Sequence, residues 1–127
     1  MIERCIREPN NGTNYSTAVR SNDLIFVSGH LGASSGGPEI PFEDQLRTAL
    51  SNVLAAVEAL GGSRDTLLKV NGYIASVADF PTYHRVYREV LGEGPLPART
   101  TVQIGGFEPP VLVEMDAIAA VAPSAED

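Results

Sequence analysis

Three ionisable side chains lie close together in the last third of the chain, in two segments that alternate polar and apolar residues. Arg99 begins segment 99–104, and Glu114 and Asp116 lie within segment 111–118. Alternation with a period of two is typical of β-strands, so the pattern predicts two strands separated by a glycine- and proline-rich break. The guanidinium of an arginine matches a carboxylate, and a glutamate can orient water and accept its proton. The pattern therefore predicts a binding site for a small carboxylate on the polar side of a sheet.

The same residues also have structural interpretations. Arg99 could form an ion pair with Glu114 or Asp116 that serves only stability, and Glu114 could simply neutralise Arg99. Glu114 and Asp116 are also compatible with the pair of carboxylates that glycosidases use, which requires both to line a cleft. From position alone, these alternatives stay open.

Composition and charge exclude several classes of protein. The chain has 127 residues, of which 43 % are hydrophobic and 20 % charged, as is usual for one soluble globular domain. We expect a single domain over 1–127 with a frayed tail at 122–127. The net charge of −7 and the single lysine argue against binding of nucleic acid. No apolar run approaches the roughly 20 residues of a membrane span.

The first residues lack the apolar core of a signal peptide, so we expect a cytoplasmic protein with no membrane partner. Cys5 is the only cysteine and is interpreted as a small strand residue. His30 and His84 are the only histidines, and no cluster has the spacing of zinc ligands. We therefore expect neither a metal nor a cofactor.

Hydrophobic patterns predict six strands and two helices. Apolar residues every three or four positions indicate a helix over 42–60. A second helix follows Asp79, a plausible N-cap, and stops at Gly92; its apolar stripe includes Tyr83 and Tyr87. The strands are predicted at 2–8, 17–20, 24–28, 67–76, 99–104 and 111–118, with a turn at 9–16 and a surface loop at 29–38.

The pattern of these elements indicates an oligomer. Two helices cover only one face of such a sheet, and the run 24–28 is apolar on both sides. The other face is therefore expected to be covered by another subunit, which traps polar groups at the interface. Those groups are Arg99, Thr101, Gln103, Glu114 and Asp116.

The motif PAR at 97–99, followed by a strand, a short loop and the motif VEM at 113–115, resembles the C-terminal signature of the RidA (YjgF) family. Tyr15 also lies thirteen residues before the Ser-Gly pair at 28–29, as in that family. The resemblance covers nearly the whole chain. It implies a chorismate-mutase-like α+β fold, with a mixed six-stranded sheet and two helices on one face. It also implies a homotrimer whose sheets form a central barrel, with three clefts between subunits.

Members of this family hydrolyse reactive enamines and imines to keto acids and ammonia, without a metal or cofactor. The resemblance implies that Arg99 holds the carboxylate of a 2-imino acid and that Glu114 orients water. Tyr15 would close the cleft, although a turn aromatic packed on a neighbour is the structural alternative. The remaining residues expected to line the pocket are Ser28, Gly29, Thr101 and His84; Ser28 could also be just a strand-end hydroxyl.

Three residues depart from the usual pattern of the deaminases. His84 replaces an asparagine near the cleft, Thr100 replaces a small or apolar residue, and Phe107 replaces an aliphatic one. The imidazole of His84 could alter substrate preference or carry a proton, or it could be an ordinary exposed helix histidine. These departures leave open a pathway-specific deaminase acting on an aminomuconate-like compound. A separate alternative is a non-catalytic trimer of the same family that binds small carboxylates or regulates a partner.

Overall fold

In the computed structural model, which describes residues 1–6 and 14–123, the chain forms one six-stranded sheet with two helices on one face. The order of elements confirms the predicted order. The end of the predicted first strand, most of the predicted turn at 9–16 and residues 124–127 of the tail lie outside the described residues. The elements are β1 (Ile2–Cys5), β2 (Ala18–Ser21), β3 (Leu24–Leu31), α1 (Phe42–Ala59), β4 (Leu67–Ile74), α2 (Phe80–Leu91), β5 (Ala98–Gln103) and β6 (Val113–Ala120).

The strand order β1-β2-β3-β6-β4-β5 explains why both helices lie on one side. β3 and β4 are each antiparallel to β6 and therefore parallel to each other, while β4 and β5 pair directly in parallel. Parallel strands need a crossover connection, and α1 and α2 supply the two crossovers. β5 is left as an edge strand.

The core lies between the two helices and the sheet. The apolar stripe of α1 is buried, as its spacing predicts, and it packs with the inward residues of the central strands. Burial of each such side chain favours folding by about 1.5–3 kcal/mol. The core includes Ile25, Leu46, Leu50, Val53, Val57, Val70, Ile74, Val113 and Met115.

Two predicted segments need correction. β3 does not end at Ser28 but continues to Leu31, because a β-bulge between Val27 and His30 absorbs one extra residue. The predicted loop therefore starts later than residue 29. β4 also has a register shift between Leu67 and Lys69, and Leu68 at this shift is 47 % exposed.

The second face of the sheet is open in the single chain. Leu24 and Phe26 of β3 are 42 % and 44 % exposed, so the prediction that β3 is covered on both sides does not hold within one chain. Leu31 and Val102 on the same face are also exposed. Coverage of this face by another subunit stays a prediction.

A buried glutamine in α1 fastens the segment that leads into β6. Gln45 is fully buried, and its Nε2 donates to the carbonyl oxygens of Ile40 and Pro110, each at 2.8 Å. Its Oε1 accepts from the backbone N–H of Leu112 at 2.9 Å. One side chain therefore satisfies three backbone groups and sets where β6 begins.

Replacement of Gln45 by methionine, which has a similar shape, is expected to lower the free energy of unfolding by about 2–3 kcal/mol. The cause is the loss of partners for three backbone groups rather than a cavity. Denaturant titration at fixed protein concentration measures the change. Thr48→Ala, at an exposed position of the same helix, is the control, with an expected change within about 0.5 kcal/mol. Equal stability of Gln45→Met and wild type would show that these hydrogen bonds contribute nothing.

Candidate functional site

Arg99 lies on the helix-covered side of the sheet, against the aromatic residues of α2. Its Cζ is 5.1 Å from the ring centroid of Tyr83 and 4.7 Å from that of Tyr87. Its Nη2 lies 3.1 Å from Nδ1 of His84. A guanidinium over an aromatic face is favoured by the ring quadrupole. We call Arg99, Tyr83, His84 and Tyr87 the arginine shelf.

Thr101, two residues further along β5, is joined to the same helix. Its Oγ1 donates to the hydroxyl of Tyr83 at 2.8 Å. Tyr83 approaches the sheet this closely because its hydroxyl lies where a Cβ on Gly72 of β4 would stand. Burial raises the pKa of Tyr83 above its ordinary value and that of Tyr87 to about 12, so both phenols stay neutral.

Glu114 and Asp116 lie on the opposite, open face. Asp116 accepts hydrogen bonds from Nδ2 of Asn71 and from the hydroxyl of Tyr73, each at 2.8 Å. The side chain of Glu114 lies over Gly29, and a Cβ at residue 29 would overlap Oε2 of Glu114. We call these five residues the carboxylate face.

The two acids have different environments. Within residues 1–6 and 14–123, donors from the chain satisfy both oxygens of Asp116, whereas none lies within hydrogen-bond distance of the carboxylate of Glu114. Partial burial, and secondarily the negative charge of Asp116, raise the pKa of Glu114 above its ordinary value. A carboxylate with a raised pKa is a stronger proton acceptor. Asp116 is therefore held by donors of its own chain, whereas the carboxylate of Glu114 has no such donor among the described residues.

The prediction that Arg99, Thr101 and Gln103 share a face with Glu114 and Asp116 is wrong. Arg99 stands opposite Val70, a core residue of β4, whereas Glu114 stands opposite Tyr73 on the other side of the pleat. The alternation within each strand was correct, but the relative register of β5 and β6 is set through β4, which the sequence pattern does not reveal.

The placement of Arg99 and the two acids on opposite faces of the sheet also bears on the ion-pair and glycosidase-like interpretations. In the part of the chain that the structure describes, Arg99 forms no ion pair with Glu114 or Asp116. The interpretation that Arg99 forms a purely structural ion pair with Glu114 or Asp116 is therefore contradicted. A glycosidase-like pair is disfavoured as well, because Asp116 is held by two donors.

Two of the other predicted residues, Ser28 and Gly29, lie in the bulge of β3. Gly29 is beside Glu114, as described above, and the Oγ of its neighbour Ser28 donates to the carbonyl of Ser16 at 2.7 Å. Bulges often occur next to active sites, where they aim side chains out of the ladder. Tyr15 precedes β2 and is 61 % exposed; its role in closing a cleft stays a prediction.

A groove of about 760 Å³ lies at the end of β4 and β5, away from both clusters. None of the predicted site residues lines it, although Phe107 does. Among the described residues there is no group of three His, Cys, Asp or Glu side chains placed to hold a metal ion. No helix in this part of the chain is long and apolar enough to cross a membrane.

Sequence reasoning missed the role of Tyr83 and Tyr87, which were interpreted as part of a core stripe. Their spacing of four residues places both on one side of α2, the helix just before the arginine strand. The available signal was that tyrosines, rather than leucines, stand at these positions. A stripe of rings carrying hydroxyl groups can support a guanidinium and a threonine hydroxyl as well as fill a core.

The model of the family described as endoribonuclease L-PSP matches residues 5–121. The chain belongs to this family, the RidA (YjgF) family. A 2-iminobutanoate/2-iminopropanoate deaminase of Dermatophagoides farinae is 32 % identical to this RidA-family chain over 110 residues, which is 84 % of the chain and 85 % of the relative. A RutC family protein of Pyrococcus horikoshii is 34 % identical over 108 residues, 83 % of the chain and 85 % of the relative.

The fold of the family is shared with a solved structure that contains a small molecule. The crystal structure of E. coli TdcF with bound serine has a TM-score of 0.82 and 28 % identity, and the match covers 94 % of this chain and all of that one. The likeness confirms the predicted RidA-type α+β fold.

Proposed function

We propose that the protein hydrolyses reactive 2-imino and enamine carboxylates to 2-keto acids and ammonia. The observation that supports this most is the arginine shelf. Arg99 is oriented by aromatic rings and the imidazole of His84 rather than by a carboxylate of the described chain. Its charge is therefore available for the carboxylate of a substrate.

We also propose that the site is completed by a second copy of the chain. Arg99 and Glu114 lie on opposite faces of one sheet, so a small imino acid cannot contact both within one subunit. Arg99 projects from an edge strand, where a neighbour can approach it. The Glu114 that acts with it would belong to that neighbour, in a homotrimer with three such clefts.

The open face supports this assembly. Leu24, Phe26, Leu31 and Val102 are between 38 % and 44 % exposed there, although apolar patches on a sheet face are normally covered. The carboxylate face lies among them and would be desolvated further by the neighbour. Desolvation of this kind would raise the pKa of Glu114 beyond the rise already present in the single chain.

The reaction then needs only positioning and proton transfer. Arg99 holds the carboxylate, and Glu114 orients a water whose oxygen attacks the imine carbon while Glu114 accepts a proton. The electrons of the C=N bond move to nitrogen, to which Glu114 returns the proton taken from water, and a neutral carbinolamine forms. Glu114 then accepts the proton of the carbinolamine hydroxyl and passes it to the nitrogen, the C–N bond breaks, and the oxygen becomes the carbonyl of the keto acid as ammonia leaves. No oxidation or reduction occurs.

The charge of the chain agrees with a small substrate. Although the family model carries the name endoribonuclease, the net charge of −7 and the single lysine favour a small carboxylate over a nucleic acid. The relative named 2-iminobutanoate/2-iminopropanoate deaminase favours a short 2-imino acid, and an aminomuconate-like compound is the larger alternative.

The test generates 2-iminobutanoate or 2-iminopropanoate with a dehydratase or an amino-acid oxidase. Imine is intercepted with semicarbazide, whose adduct absorbs light, so the added protein is expected to reduce adduct formation while keto acid accumulates faster. A larger imine, which the oxidase produces from a bulky amino acid, shows how the acceleration depends on substrate size. No acceleration with any of these imines would reject the deaminase proposal.

A second candidate is a non-catalytic module that binds small carboxylates. The solved TdcF structure with bound serine favours it, because serine carries a carboxylate and an amine but no imine. Under this candidate, calorimetry would detect serine or 2-oxobutanoate binding that depends on Arg99, without any turnover of imines.

A further inference from the structure

We propose that His84 is a positioning residue, which holds Arg99 ready for the substrate carboxylate as a neutral imidazole with its proton on Nε2. The effect on substrate rests on the proposed function, whereas the protonation state of the ring does not.

The contact with Arg99 determines the role of each nitrogen. A guanidinium has only donors, so the Nδ1 that lies 3.1 Å from Nη2 of Arg99 must be an acceptor. An imidazole that accepts at Nδ1 carries its proton on Nε2. The ring is itself fixed, because it stacks on Phe80 at 5.3 Å and 18° and meets Tyr83 edge-on at 5.8 Å.

The guanidinium is thereby held in two ways. The rings of Tyr83 and Tyr87 lie against its face, and His84 engages one N–H of Nη2. Among the described residues no other group accepts from Arg99, so its remaining donors are free for the two oxygens of a carboxylate. An unrestrained arginine side chain loses rotamer entropy when it binds an anion, so prior fixation makes anion binding less costly.

The charged neighbours of the ring on these two elements are arginines. Arg99 faces it from β5, and on α2 Arg85 and Arg88 lie within one turn of it. A second positive charge on His84 would repel Arg99 and remove the acceptor. An asparagine oxygen at this position could accept the same hydrogen bond without titrating.

The experiment compares wild type with His84→Asn and His84→Leu. Long-range ¹⁵N NMR of the wild type is expected to show one imidazole, absent from His84→Asn, with an unprotonated Nδ1 and a protonated Nε2. In imine hydrolysis, His84→Leu is expected to raise KM about tenfold with a smaller change in kcat, and His84→Asn to restore most of the affinity. Arg85→Ala, at the next position and exposed, is the matched control with an unchanged KM.

Two results would overturn the proposal: a proton on Nδ1, or equal KM values for His84→Leu and wild type. Binding of 2-oxobutanoate, followed by calorimetry, separates this inference from the deaminase proposal. If the protein turns over no imine, but His84→Leu still weakens the binding of 2-oxobutanoate and His84→Asn does not, the positioning role stands and the deaminase proposal fails. If all three proteins bind 2-oxobutanoate equally, the positioning role fails whatever the turnover.

Discussion

Arg99→Ala is expected to reduce kcat/KM for 2-imino acid hydrolysis by at least about a hundredfold, because the substrate loses its charged anchor. Arg99→Lys is expected to recover little of this activity. An ammonium keeps the charge but lacks the planar pair of donors, and it cannot spread over the rings of Tyr83 and Tyr87 as the guanidinium does. The measurement is the semicarbazide competition assay over a range of imine concentrations.

The control for Arg99 is Arg47→Ala. Arg47 is a half-exposed arginine of α1 that pairs with Glu43 and Glu89, so its loss removes one positive charge with little effect on the site. Circular dichroism and thermal unfolding establish that each variant folds. If Arg99→Ala folds and retains wild-type kcat/KM, Arg99 does not hold the carboxylate and the proposed mechanism is wrong.

Two inactive variants, Arg99→Ala and Glu114→Ala, are expected to regain activity when they assemble together. If each site takes its arginine from one subunit and its glutamate from the next, one of the three sites in every mixed trimer has both residues intact. A mixed trimer is therefore expected to have about a third of the wild-type activity. The two variants would be co-expressed with different tags and purified through both. Activity of this mixed species, compared with each variant alone, measures the recovery.

Mass spectrometry under native conditions must show that the doubly tagged species contains both chains. A matched sample combines Arg99→Ala subunits carrying the two different tags, and it is expected to stay inactive because no intact arginine is present. Mixed trimers without activity, formed from two folded variants, would mean that Arg99 and Glu114 act within one subunit or do not act together. That result would leave the fold unchanged but would remove the proposed shared site.

The local elements of this chain could be predicted from its sequence because each depends on neighbouring residues. The spacing of Leu46, Leu50 and Val53 indicates α1, and that helix has the bounds Phe42–Ala59. Gly92, with a φ of 76°, ends α2 where the sequence placed the stop. The alternation of polar and apolar residues also identified β5 and β6 as strands.

What the tertiary structure decided was which residues meet. Period-two alternation separates the two faces within one strand, but it does not state which face of β5 matches which face of β6. That relation is set by the shared neighbour β4, and it divides the predicted site into the arginine shelf and the carboxylate face.

The residues that serve the site from a distance were decided in the same way. Tyr83 and Tyr87 look like core residues along α2, and Gln45 looks like a polar residue of α1, until crossover connections bring them to Arg99 and to the start of β6. Their roles arise from contacts between segments far apart in the chain. The sequence by itself therefore indicated the family and the elements, and it singled out Arg99 and Glu114 as candidates for chemistry. The folded chain decided that this arginine and its acid stand on opposite faces, because strand pairing fixes the direction of every side chain in a sheet.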